Sequence, residues 1–218
     1  DWSFIATFHP AFMMRPKGNA YIPVFRIFLG RAWAFATGVQ EPWVWPKMVI
    51  RAPYGPALRE LMKAKALSVD IENRPSDGHI RCVGFGTKTL AVSVPYPGEF
   101  DGDSTPEDWR LVKQLLVSNA TKVFHNSQHD LLELKQHGHQ VNGKTFDTLL
   151  AHAVYAPQIL HNLSLACAIE FHAPNWKSEF KIEGEDKGGS KKSIFERSPI
   201  QALQLYNCKD NIMQAHLA

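Results

Sequence analysis

Apolar and small or polar positions alternate along residues 67–71, 80–86 and 90–94, a period of two that predicts three strands. The Gly86-Thr-Lys-Thr stretch between the last two fits a hairpin turn. The pattern then changes to a helical period. Thr105-Pro-Glu-Asp108 reads as a helix start, with Thr as N-cap, Pro in the first turn and acids beside it, and Trp109, Val112, Leu115 and Leu116 form the apolar face. A short strand at 122–124 leads into a helix over 127–136 that Gly138 closes, and further helices are predicted at 146–153, 163–171 and 200–217. Residues 181–192 are rich in Gly, Lys, Glu and Asp without apolar periodicity and are expected to be a mobile loop. Upstream, the pattern gives a strand at 3–8, a turn at His9-Pro10 and a helix over 22–37 ended by Gly38. The Pro- and Trp-rich stretches 41–46 and 51–56 exclude a helix or a central strand, and a short helix over 57–64 follows. These elements make an α/β sheet with the 67–71 strand central and helices packed around it.

Composition narrows this only a little. With 218 residues and 44% hydrophobic content, the chain can bury an ordinary core. Its formal net charge of +3 permits a nucleic-acid partner without demanding one. The stretch 21–38 is interrupted by Arg26 and Arg31, so no membrane span is expected. Cys82, Cys167 and Cys208 are isolated, which suggests neither a zinc site nor a disulfide framework and fits a reducing cytoplasm. The chain opens at Asp1 with no targeting pattern and reads as a cut fragment.

Candidate chemistry lies in the carboxylates. Asp70 and Glu72 sit two apart in a strand and project from one face. At about 4 Å and an effective dielectric of about 20, two such charges repel by roughly 4 kcal/mol, which a proton or a cation relieves. Two helices each place a polar residue four positions before an acid, Asn126 before Asp130 and Tyr206 before Asp210. If both aim at the first pair, four carboxylates converge as hard oxygen donors suited to Mg²⁺ or Mn²⁺. Two such ions about 3.5 to 4 Å apart can clamp an in-line phosphoryl displacement, which makes phosphodiester hydrolysis the expected reaction class. Tyr206 is a poor base at its ordinary pKa and is expected to orient the attacking water.

These residues resemble the DEDD superfamily of 3′-5′ exonucleases, in the subgroup whose third motif carries Tyr, and within it the proofreading domains of family A DNA polymerases. The motifs are Val69-Asp70-Ile-Glu72, Val123-Phe-His-Asn126-Ser-Gln-His-Asp130 and Tyr206-Asn-Cys-Lys-Asp210, with Phe146-Asp147-Thr148 and His161-Asn-Leu-Ser-Leu165 between them. The alternative subgroup would place His at position 205, which is Leu here. The resemblance spans residues 57–218. It implies a ribonuclease H-like fold, a mixed sheet of three antiparallel strands plus a parallel strand flanked by helices. It further implies Asp70, Glu72, Asp130 and Asp210 as ligands of two divalent cations, with Tyr206 orienting the water. Asn126 would contact the terminal nucleotide, and Phe180 would stack on a base. Asp147 would be structural or peripheral. The implied substrate is a single-stranded or frayed DNA 3′ end, and the implied partner a fused or associated DNA polymerase. An exoribonuclease of the ribonuclease D kind uses the same acids and Tyr, and a non-catalytic DNA-binding module is a third reading.

Ala6-Thr-Phe-His9-Pro10 and the apolar helix after it resemble the C-terminal tail of family 4 type uracil-DNA glycosylases, whose water-activating loop and cluster cysteines this chain lacks. No glycosylase activity is expected. The implied organisation is a glycosylase-like remnant over 1–45, a Trp/Pro-rich linker and short helix over 46–64, and a 3′-5′ exonuclease domain over 65–218. Trp43 and Trp45 are expected to plug the join between units. His125, His129, His137 and His139 are expected mostly on solvated faces or loops, and the 187–192 Lys run as a solvated loop or a phosphate grip.

Overall fold

The computed structural model describes residues 9–15, 18, 21–38, 43–157, 160–178, 195–196 and 198–218. Its strands are β1 (Lys47–Val49), β2 (Ala66–Asn73), β3 (Ile80–Gly86), β4 (Leu90–Pro95), β5 (Thr121–Phe124) and β6 (Thr145–Asp147). Its helices are α1 (Pro10–Met13), α2 (Ile22–Ala36), α3 (Gly55–Leu61), α4 (Pro106–Val117), α5 (Ser127–Gln136), α6 (Thr148–Tyr155), α7 (Leu163–Phe171) and α8 (Ile200–Leu217), with a 3₁₀ turn at Trp176–Ser178.

Alternation sorts the central strands into two unlike faces. Leu67, Val69 and Ile71 of β2, Val83 and Phe85 of β3, and Leu90, Val92 and Val94 of β4 are buried in one large cluster with Leu58, Leu61, Val112 and Leu115 of α3 and α4. Thr105 caps α4 in a reciprocal capping box with Asp108, so the sequence signal for that helix start is realised atom for atom. The other face carries Ser68, Asp70 and Glu72, then Cys82, Gly84 and Gly86, then Ala91 and Ser93. Register sets these side by side, with Asp70 opposite Gly84 and Gly84 opposite Ser93.

This small-residue face lets α8 lie close to the sheet. A side chain at Gly84 would run into the Asn207 and Asn211 side chains, and one at Gly86 would come within 2.9 Å of Ser68 Oγ. Arg81 fixes the entry to α8. It is buried, pairs with Glu99 at 2.6 Å and donates to the Phe195 and Ser198 carbonyls.

The six strands run in the order β1-β4-β3-β2-β5-β6. β2 is antiparallel to β3 and β3 to β4, whereas β2/β5, β5/β6 and β1/β4 are parallel. Two of these strands correct the sequence reading. The segment after Phe124 was expected to hold a helix from 146, yet Thr145–Asp147 pairs with β5 and the helix begins only at Thr148, because Asp147 turns its side chain forward to cap it. The proline-rich connector supplies β1, which is tolerated because it is an edge strand lying between Pro46 and Pro53.

At the N-terminus, His9 is exposed and its Nδ1 accepts the Ala11 amide at 3.1 Å, capping α1. The strand expected at 3–8, the 181–192 loop and Phe180 lie outside the described residues. α2 meets the main body through Arg31, which donates to the His172 and Ala173 carbonyls at 3.0 and 3.2 Å. Trp43 packs on Phe171 and His216, and Trp45 on Trp176. Among the described residues no helix is long and apolar enough to cross a membrane.

Candidate active site

Asp70 and Glu72 leave β2 on the face that α8 covers, and Asp210 reaches them from the middle of α8. One oxygen from each of these three carboxylates lies within 4.8 Å of the others. They line a cleft of about 390 Å³ together with Asn126, Asp130, Asn162, Lys177, Tyr206 and Gln214.

Asp70 is fixed by α8. Its Oδ2 accepts from Asn207 Nδ2 at 2.7 Å and its Oδ1 from Gln214 Nε2 at 3.1 Å. Burial, followed by the charge of Asp210, pushes its pKa up to about 7, and Lys177 and the two amides only partly offset this. Glu72 is buried. Burial, then Asp70 and Asp210, raise its pKa well above the ordinary carboxylate range, with Lys177 opposing. Asp210 is gripped at both oxygens by one short turn, Oδ1 by Trp176 Nε1 and Oδ2 by Lys177 Nζ at 2.8 Å. The ammonium also lies 5.1 Å from the centre of the Tyr206 ring. Burial works against the Lys177 charge, but Asp210 and Tyr206 outweigh it and hold its pKa above the ordinary value. Tyr206 stays a neutral phenol, since burial and then Asp210 raise its pKa.

Asp130 stands apart from the three. It sits in the first turn of α5, buried, and its Oδ1 accepts from the Ile71 amide at 3.4 Å. Burial and the charge of Asp70 raise its pKa. Its aim depends on Asn126, which has φ 80 and ψ 54, a left-handed conformation tolerated by Asn. Asn126 therefore precedes α5 and is not part of its face, although it lines the cleft with Asp130. Asp147 holds this bend, accepting the Asn126 and Ser127 amides at 3.1 and 2.7 Å and the Leu149 and Leu150 amides of α6 at 2.9 and 3.3 Å. Burial would raise the Asp147 pKa, but these hydrogen bonds hold it below the usual value.

The histidines divide. His129 is exposed, whereas His137 and His139 pack edge-on to Tyr96. His125 corrects the expectation of a solvated residue. It lines the cleft, shares a hydrogen bond with Thr148 Oγ1 at 2.9 Å, and burial pushes its pKa down to about 4.

Sequence reasoning missed Asn207, Gln214, Trp176 and Lys177. For the first two a signal existed. Asn207, Asp210, Asn211 and Gln214 recur at helical spacing and are all buried, a polar stripe on the inner side of a helix. Buried polar residues in such numbers point to partners across the interface. Trp176 and Lys177 carry no such pattern.

The donor set fits a hard divalent cation: three oxygen ligands converge, burial and then neighbouring carboxylate charge raise the pKa values of Asp70 and Glu72, and the Lys177 ammonium offsets only part of this. Comparison with known proteins agrees. The 3′-5′ exonuclease family matches residues 56–168, a span that includes Asp70, Glu72 and Asp130 and stops short of Tyr206 and Asp210. That is just over half of the chain, and the chain belongs to this family of enzymes. No curated protein matches the sequence. Among solved structures, Brucella melitensis NrnC is 17% identical over 79% of this chain and 77% of its own, with a TM-score of 0.52. The same protein bound to pGG is 18% identical over 79% and 76%, with a TM-score of 0.54. A structure described as the apo form of a nuclease is 16% identical over 80% and 79%, with a TM-score of 0.52. At such identities the likeness is one of fold, the ribonuclease H-like exonuclease architecture.

Proposed function

We propose that this 3′-5′ exonuclease removes nucleotides from single-stranded or frayed DNA 3′ ends, with Asp70, Glu72, Asp130 and Asp210 holding two divalent cations, Mg²⁺ or Mn²⁺. The observation that carries this reading is the meeting of Asp70, Glu72 and Asp210 oxygens within 4.8 Å, in a cleft that Asp130 and Tyr206 also line. The bound cations would supply the positive charge that acidifies water and offsets charge on the departing oxygen. The protein supplies the rest. Asn207 and Gln214 lock Asp70, Trp176 and Lys177 lock Asp210, and the cleft thereby presents its charge with little left to reorganise. Water adds across the bond: its oxygen joins phosphorus, the P–O3′ bond breaks, and the 3′ oxygen of the shortened strand takes a proton. Tyr206, a neutral phenol at the cleft wall, orients that water. Asn126, exposed at the rim, contacts the terminal nucleotide, and Phe180 is assigned the stacking role on a base.

A cleft of about 390 Å³ has room for one terminal nucleotide, which fits a single-stranded or frayed end. The resemblance to family A proofreading domains carries the choice of DNA and of a polymerase, fused or associated, as partner. It also carries an organisation in which residues 1–45 are the tail of a glycosylase-like unit, 46–64 a linker and 65–218 the exonuclease. Incubation of a 5′-labelled DNA oligonucleotide with Mg²⁺ or Mn²⁺ is expected to give a ladder shortened from the 3′ end, abolished in the double variant Asp70→Ala, Glu72→Ala. An intact label in both metals contradicts the activity. An RNA oligonucleotide degraded faster than its DNA counterpart overturns the DNA assignment in favour of the ribonuclease D kind of substrate.

A further inference from the structure

A second cavity, of about 410 Å³, lies beside the cleft and among the described residues shares no lining residue with it. Three helices wall it: Thr148, His152 and Tyr155 of α6, Glu170 and Phe171 of α7, and His216 of α8. Asn162 and Leu163 at the start of α7 line the cleft, whereas Glu170 and Phe171 at its end line the cavity, so the two lie about 12 Å apart along that helix. The walls are largely aromatic. His216 packs on Phe171 with 5.5 Å between ring centres, and Trp43 packs on both. Burial, then the charge of Lys88, lowers the His216 pKa and keeps its ring neutral. Tyr155 stands at the rim, 76% exposed. Glu170 is the one carboxylate among the described lining residues, and no Lys or Arg accompanies it there. Its Oε1 accepts from His152 Nε2 at 3.3 Å, and His152 Nδ1 meets His161 Nδ1 at 2.9 Å. An ionised carboxylate only accepts, so His152 carries its proton on Nε2, and its bare Nδ1 accepts from His161. The two imidazoles thus fix the carboxylate through one oxygen. The other, Oε2, takes no hydrogen bond from a described residue.

We propose that this cavity is a second nucleic-acid contact, a base slot that selects guanine in the strand whose 3′ end lies in the cleft. The assignment rests on the exonuclease reading of the cleft. Unpaired bases are held by stacking on aromatic side chains and read by hydrogen bonds at their Watson–Crick edges. Phe171 and His216 offer one ring surface for stacking, and Tyr155 offers another from the rim. The carboxylate decides which edge fits. Guanine presents two adjacent donors, N1–H and N2–H, which match the two oxygens of Glu170. Adenine and cytosine place a ring-nitrogen acceptor beside their amino group, and thymine flanks its single N–H with carbonyls, so each of these turns a lone pair toward the carboxylate. Selection therefore comes as much from repulsion of the other bases as from the fit of guanine.

Binding is measured with metal chelated, so that cleavage plays no part. Oligothymidylates labelled at the 5′ end and carrying one guanine, moved stepwise inward from the 3′ end, are titrated with the protein and followed by fluorescence anisotropy. Guanine at one inner position is expected to tighten binding about tenfold over the all-thymine strand. Inosine at that position lacks the N2 amino group and is expected to lose most of the gain. Glu170→Gln keeps an oxygen for His152 but sets an N–H against the base, and is expected to abolish the guanine preference. Tyr155→Ala removes a stacking ring and is expected to weaken the guanine-bearing strand about tenfold. Unchanged melting temperatures in the two variants separate these losses from unfolding. Affinity that is the same wherever the guanine stands, a preference that survives Glu170→Gln, or failure of every strand to bind overturns the proposal. Guanosine that binds in a Glu170-dependent way, with no effect of position in the strand, assigns the slot to a free nucleoside and overturns the strand contact. If the positional preference is present but labelled strands stay intact in Mg²⁺ and Mn²⁺, the exonuclease reading fails and the slot stands; if strands are cleaved without the preference, the slot fails and the exonuclease reading stands.

Discussion

The two helical walls of the cleft look alike in sequence and differ in how they are held. Each offers a polar residue four positions before an acid, Asn126 and Asp130 on one side, Tyr206 and Asp210 on the other. Asp210 stands in the middle of an 18-residue helix pressed against the small face of the sheet, and both of its oxygens meet donors from a neighbouring turn. Asp130 stands in the first turn of a 10-residue helix, and among the described residues the hydrogen bond that ties its carboxylate to another element is a long one from the Ile71 amide. The same spacing thus yields one acid rigidly built into the cluster and one whose direction is set by the bend at Asn126. Equal spacing puts residues on a common side, and the anchoring decides how firmly each is aimed.

The sharpest break in that comparison is the loss of the α8 acid. Asp210→Asn is expected to lower kcat at least about 10³-fold, because it removes one of three converging ligands and leaves Lys177 without its partner. Asp130→Asn is expected to weaken Mn²⁺ binding less than Asp210→Asn does, measured by calorimetry on the two variants. Next in size is the seat of α8. Gly84→Ala puts a methyl group into the Asn207 and Asn211 side chains and is expected to destabilise the fold by about 1–3 kcal/mol in urea unfolding. Because Asn207 also holds Asp70, the same change is expected to cost about 10²-fold in kcat. On the α5 side, Asp147→Ala removes the acceptor of four backbone amides and is expected to cost about 1–2 kcal/mol and about tenfold in kcat, with the metal isotherm nearly unchanged.

A pH titration probes the same cluster without a substitution. The Asp70 pKa is raised from 3.8 to about 7, so without metal the folded state retains a proton that the unfolded chain has lost. That contribution to stability is fully present below about pH 4 and is lost as pH rises through about 7. The melting temperature of the metal-free protein is expected to fall between pH 5 and pH 8. Divalent-ion affinity is expected to rise over the same interval and level off above about pH 7, since the metal must displace the proton. A melting temperature that rises over this interval in chelator would contradict the raised carboxylate.

How much of this was legible depends on whether a signal was local. The alternation in 67–71, 80–86 and 90–94 specified three strands, and the Thr105, Gly38 and Gly138 signals fixed helix ends that the structure retains. Large residues in one phase and small ones in the other also encode which face α8 can approach, a feature visible in Val83-Gly84-Phe85-Gly86. The three-residue strands β1 and β6 were not legible, because a run that short has no periodicity and exists only through pairing with β4 and β5. Asp70 and Asp210 could be tied to one site by motif, whereas the Trp176 and Lys177 grip joins residues 33 and 34 positions from Asp210 through tertiary packing alone. His125 was misjudged for a related reason: its burial depends on Thr148 and the cleft wall, which nothing in its own neighbourhood signals.

Crystals of the wild-type protein soaked in Mn²⁺ and measured at the manganese absorption edge test the central claim most directly. The account predicts an anomalous peak coordinated by carboxylate oxygens of Asp70, Glu72 and Asp210. Manganese bound elsewhere on the protein, with no peak among these three residues, would contradict it.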